Sequence, residues 1–301
     1  MSVMPVEIGL SAAIAGFRDG GPAFYARDGE LPAGAFDPRV HRTFERAVRE
    51  WVRERTGLAL GYVEQLYTFG DRGRHSLGAD AAARHVVSVG YLALARPETP
   101  RPEDWWGWYE LFPWEDWRDG EPAMVGSAIR PALADWAGRS AERRARIALC
   151  FGEGGDPGGF ADERALDRYE LLYEAGLVAE AVREGREAHG PALPGRPMRH
   201  DHRRIAGTAI TRLRSKLRYR PVIFELMPAT FTLTDLQRAA EAIAGRTLHT
   251  QNFRRLVESA GLVERTGATA TQAKGRPAAL FRFRRDVTNE RPAAGLRLGS
   301  R

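Results

Sequence analysis

Two periods of apolar residues run along this chain. At 6–17, 61–69 and 85–95, β-branched and small apolar residues follow one another closely, and Gly, Pro and Asp clusters bound each run. That pattern predicts three strands. Pro97, Pro100 and Pro102 stop the third, because proline cannot donate to a sheet ladder. Between the first two runs, Phe44, Ala47, Val48, Trp51 and Val52 recur at helical spacing, which predicts a helix over 41–56 ended by Gly57. Roughly the first 100 residues therefore read as α/β.

Helical patterns over 129–151 and 161–185 follow, separated by a glycine-rich stretch over 152–159. That stretch lacks the Gly-Lys-Ser/Thr ending of a phosphate-binding loop, and its Glu153 and Asp156 repel phosphate, so it reads as a connection. Ahead of these helices stand Trp105, Trp106, Trp108, Trp114 and Trp117. Such a cluster can wall a ligand; the preferred expectation is packing against the sheet or a second copy of the chain. Pro191, Pro194 and Pro197 predict a domain boundary at 190–197.

Beyond that boundary the helical period returns. Ile205, Ala209, Ile210, Leu213 and Leu217 line one face of a predicted helix, with arginines expected on the opposite one. In the run Phe231 to Leu236, Thr232 is placed to cap a helix with Asp235 three residues on, and Phe231 and Leu236 occupy hydrophobic-staple positions. This helix ends at Gly245, and a short turn leads to another over 248–260, ended by Gly261. Near its start the second helix carries Thr250, Gln251, Asn252, Arg254 and Arg255. Two short helices joined by a tight turn match a helix-turn-helix. Gln and Asn pair with adenine edges, and Arg with guanine or phosphate. Two predicted strands, at 262–264 and 280–283, flank a polar loop carrying Lys274 and Arg276. That is the plan of a winged helix with a basic wing tip. A small helical subdomain with a solvated arginine face is the plainer alternative.

Charge sharpens the choice. The net charge is +6, yet residues 198–301 carry +13 and the remaining 197 residues carry −7. Only Lys216 and Lys274 are lysines, so arginine supplies nearly all the positive charge. A basic C-terminal third on an acidic body is the electrostatic footprint of a nucleic-acid-binding module. No stretch is apolar for long enough to predict a membrane span, and the opening MSVMPVEIGL lacks the form of a signal peptide. Cys150 is the single cysteine, which fits a reducing cytoplasm and allows no internal disulfide.

Leu31-Pro32-Ala33-Gly34, followed by a helix that ends Glu50-Trp51-Val52-Arg53-Glu54-Arg55-Thr56-Gly57-Leu58, resembles a decayed Nudix box. Active boxes cluster carboxylates on this helix, where they hold divalent metal against a diphosphate. Aligned on Gly57, the two metal-binding glutamate positions hold Glu54 and Arg55, and the spacing from Gly34 is two residues longer than the motif. A guanidinium there opposes a second cation, so no metal site and no hydrolysis are expected.

The segment from Tyr62 to Arg74, the run Arg84 to Tyr91, the C-terminal Phe253-Arg254-Arg255-Leu256 and Gly275-Arg276-Pro277-Ala278 together resemble the Nudix-related transcriptional regulators of NAD metabolism. The resemblance covers roughly residues 6–96 and 200–285; the tryptophan-rich middle departs from it. It implies an α+β chain, an N-terminal Nudix-like α/β/α sandwich followed by a C-terminal winged helix-turn-helix domain. The expected units are 1–155 (effector-sensing, with a tryptophan-rich insertion at about 100–120), 156–200 (helical connection and Pro-rich linker), 201–287 (DNA-binding) and a disordered tail over 288–301. It also implies a cytoplasmic homodimeric repressor that binds double-stranded operator DNA and a nucleotide effector, NAD, ADP-ribose or ATP, and requires no cofactor. For that effector, Tyr67 and Phe69 offer rings to a base, and Arg72, Arg74 and Arg84 offer charge to phosphates. Strand alternation sends Tyr67 and Phe69 to one face without saying which, and a core position for both stays open. An active Nudix hydrolase with an accessory C-terminal domain, or an RNA-binding adaptor, are the competing functions.

Overall fold

The computed structural model describes residues 6–70, 85–96, 102–152, 160–270, 277–284 and 286. The predicted strands appear as β1 (Val6–Arg18), β4 (Val63–Phe69) and β5 (His85–Leu94), joined by β2 (Gly21–Tyr25), β3 (Ala33–Ala35) and β6 (Trp105–Gly107). They form a mixed sheet of order β4-β5-β1-β2-β6, with β3 pairing β1 beside β2. β1 and β5 run parallel from Val6 opposite His85 to Ala15 opposite Leu94, and the other pairs are antiparallel. Both faces are buried, as near-continuous apolar strands require.

One face is covered by α1 (Phe44–Thr56). Thr43 caps it by accepting from the Arg46 amide, and Gly57 ends it in the left-handed region, φ 73°, with its N–H donating to the Arg53 carbonyl at 3.0 Å. Ala47, Val48, Trp51 and Val52 pack on Leu10, Ala12, Ile14 and Tyr91.

The opposite face, from Ala13, Ala15, Leu92 and Leu94, meets a larger helical body. Here the tryptophans settle into the core. Trp105 and Trp106 lie on β6, which extends the sheet beyond β2, and all five are at most 9% exposed. α2 (Trp108–Leu111) follows directly, and Trp108 stacks on Phe24 of β2. The pattern over 129–151 is two helices, α3 (Arg130–Ala137) and α4 (Ala141–Phe151), because Gly138 adopts φ +49° and Ser140 caps the second. The pattern over 161–185 likewise divides into α5 (Ala165–Glu174) and α6 (Ala179–Arg183), with Gly176 at the break.

Two expectations about the middle of the chain change. The 190–197 segment is stitched to the body rather than free. Leu193 donates to the Leu177 carbonyl at 2.8 Å and Arg196 to that of Glu110 at 2.7 Å, while Met198, just beyond it, is buried. The helix after it, α7 (His202–Leu217), packs against β1, β4, β5 and α5. α7 therefore covers the second face of the sheet instead of opening the C-terminal domain. Its arginines are not all outward either: Arg203 and Arg214 are 1% exposed. Periodicity identified the helix, but an apolar stripe does not say which unit it packs on.

The C-terminal unit holds α8 (Leu233–Ala244), α9 (Thr250–Ala260) and a hairpin of β7 (Val263–Ala270) and β8 (Ala278–Phe283). Phe231 bridges to Phe281 through two backbone bonds of 3.0 and 2.8 Å, tying the entry of α8 to the wing. No helix among the described residues is long and apolar enough to cross a membrane.

Candidate DNA-binding face and effector residues

The turn between α8 and α9 is held by side chains of α8. Gln237 donates to the Leu248 carbonyl at 2.9 Å and to the Thr250 hydroxyl at 3.2 Å, and Glu241 accepts from the Leu248 amide at 2.9 Å. At the other end of α8, Thr232 and Asp235 exchange the reciprocal bonds of a capping box. These contacts set the angle at which α9 leaves α8. Phe253 and Val257 anchor α9 to the core, and its exposed face carries Thr250, Gln251, Asn252, Arg254 and Arg255. The structure brings all five together on one surface. Among the described residues, neither Arg254 nor Arg255 has a carboxylate within ion-pair distance, so their donors face solvent. Lys274 and Arg276 of the wing tip lie outside the described residues.

The carboxyl end of α8 is gripped from the first unit. Three of its last carbonyls, or those just beyond, receive donors: Ala242 from the Tyr109 hydroxyl at 2.6 Å, Ile243 from Arg214 Nε at 2.8 Å, and Gly245 from the Trp117 amide at 2.7 Å. Helix ends leave such carbonyls unpaired, and a cation there suits the helix dipole. Arg214 also pairs with Glu115, which Arg168 engages through both oxygens at 2.5 and 2.8 Å. All three side chains are buried. Burial alone would raise the Glu115 carboxyl, but Arg168 and Arg214 outweigh it and hold it below the ordinary value. The tryptophan-rich segment is thus the joint between the sheet and the C-terminal unit. No local signal announced this, since Glu115, Arg168 and Arg214 stand far apart in the sequence.

On the effector side, β4 carries a bulge between Gln65 and Thr68. The extra residue makes Leu66 and Phe69, three apart, the two buried residues of the strand's second half. Phe69 lies in the core with Arg204 over its ring, while Tyr67 is 62% exposed and meets Phe69 edge-on at 5.4 Å. Arg72, Arg74 and Arg84 lie outside the described residues. In the Nudix-like segment, Arg55 donates to the Ala33 carbonyl at 2.6 Å and lies over Trp51. Glu50 is paired with Arg46 at 2.9 Å, and Glu54 is exposed. Among the described residues, no three His, Cys, Asp or Glu side chains are placed to hold a metal ion.

Comparison with known proteins agrees with this geometry. Residues 223–283 match the family model of the NrtR DNA-binding winged helix domain, which begins after α7. Over 83 residues the chain is 42% identical to the "ADPR responsive transcriptional repressor NtrR" of Acinetobacter baylyi, a match spanning 28% of this chain and 33% of that relative. The crystal structure of Shewanella oneidensis NrtR in complex with a 27mer DNA is similar over 94% of this chain and 95% of that one, with TM-score 0.55 and 20% identity. A MutT/nudix family protein from Enterococcus faecalis is similar over 94% and 88%, with TM-score 0.50 and 14% identity. The chain therefore combines a Nudix-like α/β/α fold with a C-terminal winged helix domain of the NrtR DNA-binding family.

Proposed function

We propose that this protein is an effector-responsive transcriptional repressor of NAD-related genes, reading operator DNA with α9 and the wing and a nucleotide with the Nudix-like unit. The observation that carries the proposal is the face of α9. Base-reading side chains and two arginines free of described carboxylates stand exposed on a helix whose other face is locked into a winged helix fold. The Acinetobacter baylyi relative is named for ADPR-responsive repression, which supports the same reading. A homodimer follows from it, since paired recognition helices read half-sites one DNA turn apart.

In this proposal the Nudix-like unit binds without hydrolysing. Arg55 stands at one metal-ligand position and is bonded to the Ala33 carbonyl, so the donor set does not suit a second divalent cation. NAD, ADP-ribose and ATP are the effectors to test. The end of β4, with exposed Tyr67 and the following Arg72, Arg74 and Arg84, is one place where such a nucleotide can be received.

A gel-shift titration at fixed salt, against DNA upstream of the protein's own and neighbouring genes, with and without each nucleotide, tests the function. A specific shift altered by one nucleotide is expected. Arg254→Ala and Arg255→Ala should each weaken operator binding about tenfold or more. A folded protein that gives no specific shift under any condition would remove the regulator reading.

A further inference from the structure

Ahead of α7 the protein holds a cavity of about 530 Å³ that neither the face of α9 nor the end of β4 accounts for. It lies where the turn after β2, the start of β6, the end of α6 and the segment leading into α7 converge. Four guanidinium groups line it, from Arg27, Arg183, Arg196 and Arg199. Their carboxylate partners hold them loosely: Arg27 to Asp104 at 3.6 Å, Arg183 to Glu184 at 4.0 Å, Arg196 to Glu110 at 3.8 Å, and Arg199 to Glu30 at 3.3 Å. The contrast with the buried, two-pronged Arg168–Glu115 pair is sharp. Long, partly exposed pairs contribute little, so these guanidinium groups keep donors for an incoming anion.

The rest of the wall narrows the class of anion. The Arg196 guanidinium lies over the Trp106 ring, 3.2 Å from its centroid. The pair makes a planar platform on which an aromatic base stacks. Asp28 and Glu103 share the lining. Carboxylates accept bonds from sugar hydroxyls but repel bare phosphate, so a mixed wall of this kind suits a nucleotide better than an inorganic ion. The volume falls in the range of sites for small organic ligands.

We propose that this cavity, rather than the end of β4, is the seat of a nucleoside diphosphate. Arg27, Arg183 and Arg199 hold its phosphates, the Arg196–Trp106 stack its base, and Asp28 or Glu103 its ribose hydroxyls. The proposal rests on the nucleotide-responsive function proposed above and places its ligand. It also connects the ligand to the DNA-reading unit. Arg196 and Arg199 lie on the segment that runs into α7, and α7 carries Arg214 to the carboxyl end of α8.

Titration calorimetry of the full chain with ADP-ribose, ADP, adenosine and inorganic phosphate tests this. The variants are Arg27→Ala/Arg196→Ala and Arg199→Ala, which alter partly exposed side chains and whose folding is checked by circular dichroism. ADP-ribose and ADP should bind, with adenosine and inorganic phosphate at least about tenfold weaker, and each variant should lose about tenfold in nucleotide affinity. Unchanged affinity in folded variants overturns the assignment, as does inorganic phosphate binding as well as ADP, or no nucleotide binding at all. Loss in Tyr67→Ala with the cavity variants unaffected also overturns it, and moves the site to β4. Gel shifts without nucleotide keep the two proposals apart. Operator binding that persists while the cavity variants bind nucleotide normally sinks the site and leaves the regulator standing.

Discussion

At the scale of single residues, Glu115 carries the most consequence. It is buried between Arg168 and Arg214, and each guanidinium also donates to backbone carbonyls, so every charge in the group is compensated. Removing one partner strands the others in a medium that cannot solvate them. Glu115→Gln should therefore lower stability by about 3–5 kcal/mol, read from the urea midpoint followed by tryptophan fluorescence. A loss no larger than that of a surface substitution would show that the triad is not closed in solution. The pH dependence has a definite sign. The Glu115 carboxyl is depressed below the ordinary glutamate value of 4.5. Its contribution is thus complete above that value and is lost as pH falls through the lower folded one. Acid unfolding should accordingly be steeper in the wild type than in Glu115→Gln.

At the scale of elements, α8 is held from both ends, by its own capping box and by donors from the tryptophan-rich segment. Thr232→Ala removes the hydroxyl that accepts from the Asp235 amide at 3.1 Å. It should cost about 1 kcal/mol, visible as a lower thermal midpoint with operator affinity little changed. Gly245 illustrates the other end. Its φ is +73°, and a Cβ there would collide with the Glu115 carbonyl, so Gly245→Ala should destabilise more than Thr232→Ala in the same thermal scan. The reverse order would mean that the contact between the units is looser than these bonds imply. Much of α8 was legible beforehand, because Thr232, Asp235 and Gly245 are local signals. The grip on its last carbonyls was not, because those donors come from Tyr109, Trp117 and Arg214.

At the scale of the whole molecule, α7 is the common part. It packs on the sheet along one side and touches α8 through Arg214, so ligand and DNA bias one connected body. If nucleotide weakens operator binding by some factor, operator DNA must weaken nucleotide binding by the same factor. Calorimetry of the DNA complex and gel shifts at saturating nucleotide should return equal ratios, and unequal ratios would mean that other equilibria, such as dimerisation, intervene.

The sequence by itself determined the strands, α1, the helix-turn-helix and the basic character of the C-terminal third. Each rests on periodicity, capping or composition, which act within a few residues. It also named the face of α9, since a helical period fixes which residues share a face. It did not divide the long helical patterns in the middle, where Gly138 and Gly176 break the helices, nor assign α7 to the sheet. Only tertiary structure placed Phe69 in the core beside an exposed Tyr67, because a bulge shifts the strand's alternation. Only tertiary structure gathered Arg27, Arg183, Arg196 and Arg199 around one cavity, and Glu115, Arg168 and Arg214 into one buried cluster. Such assemblies depend on which distant segments pack together, and no single segment carries that information.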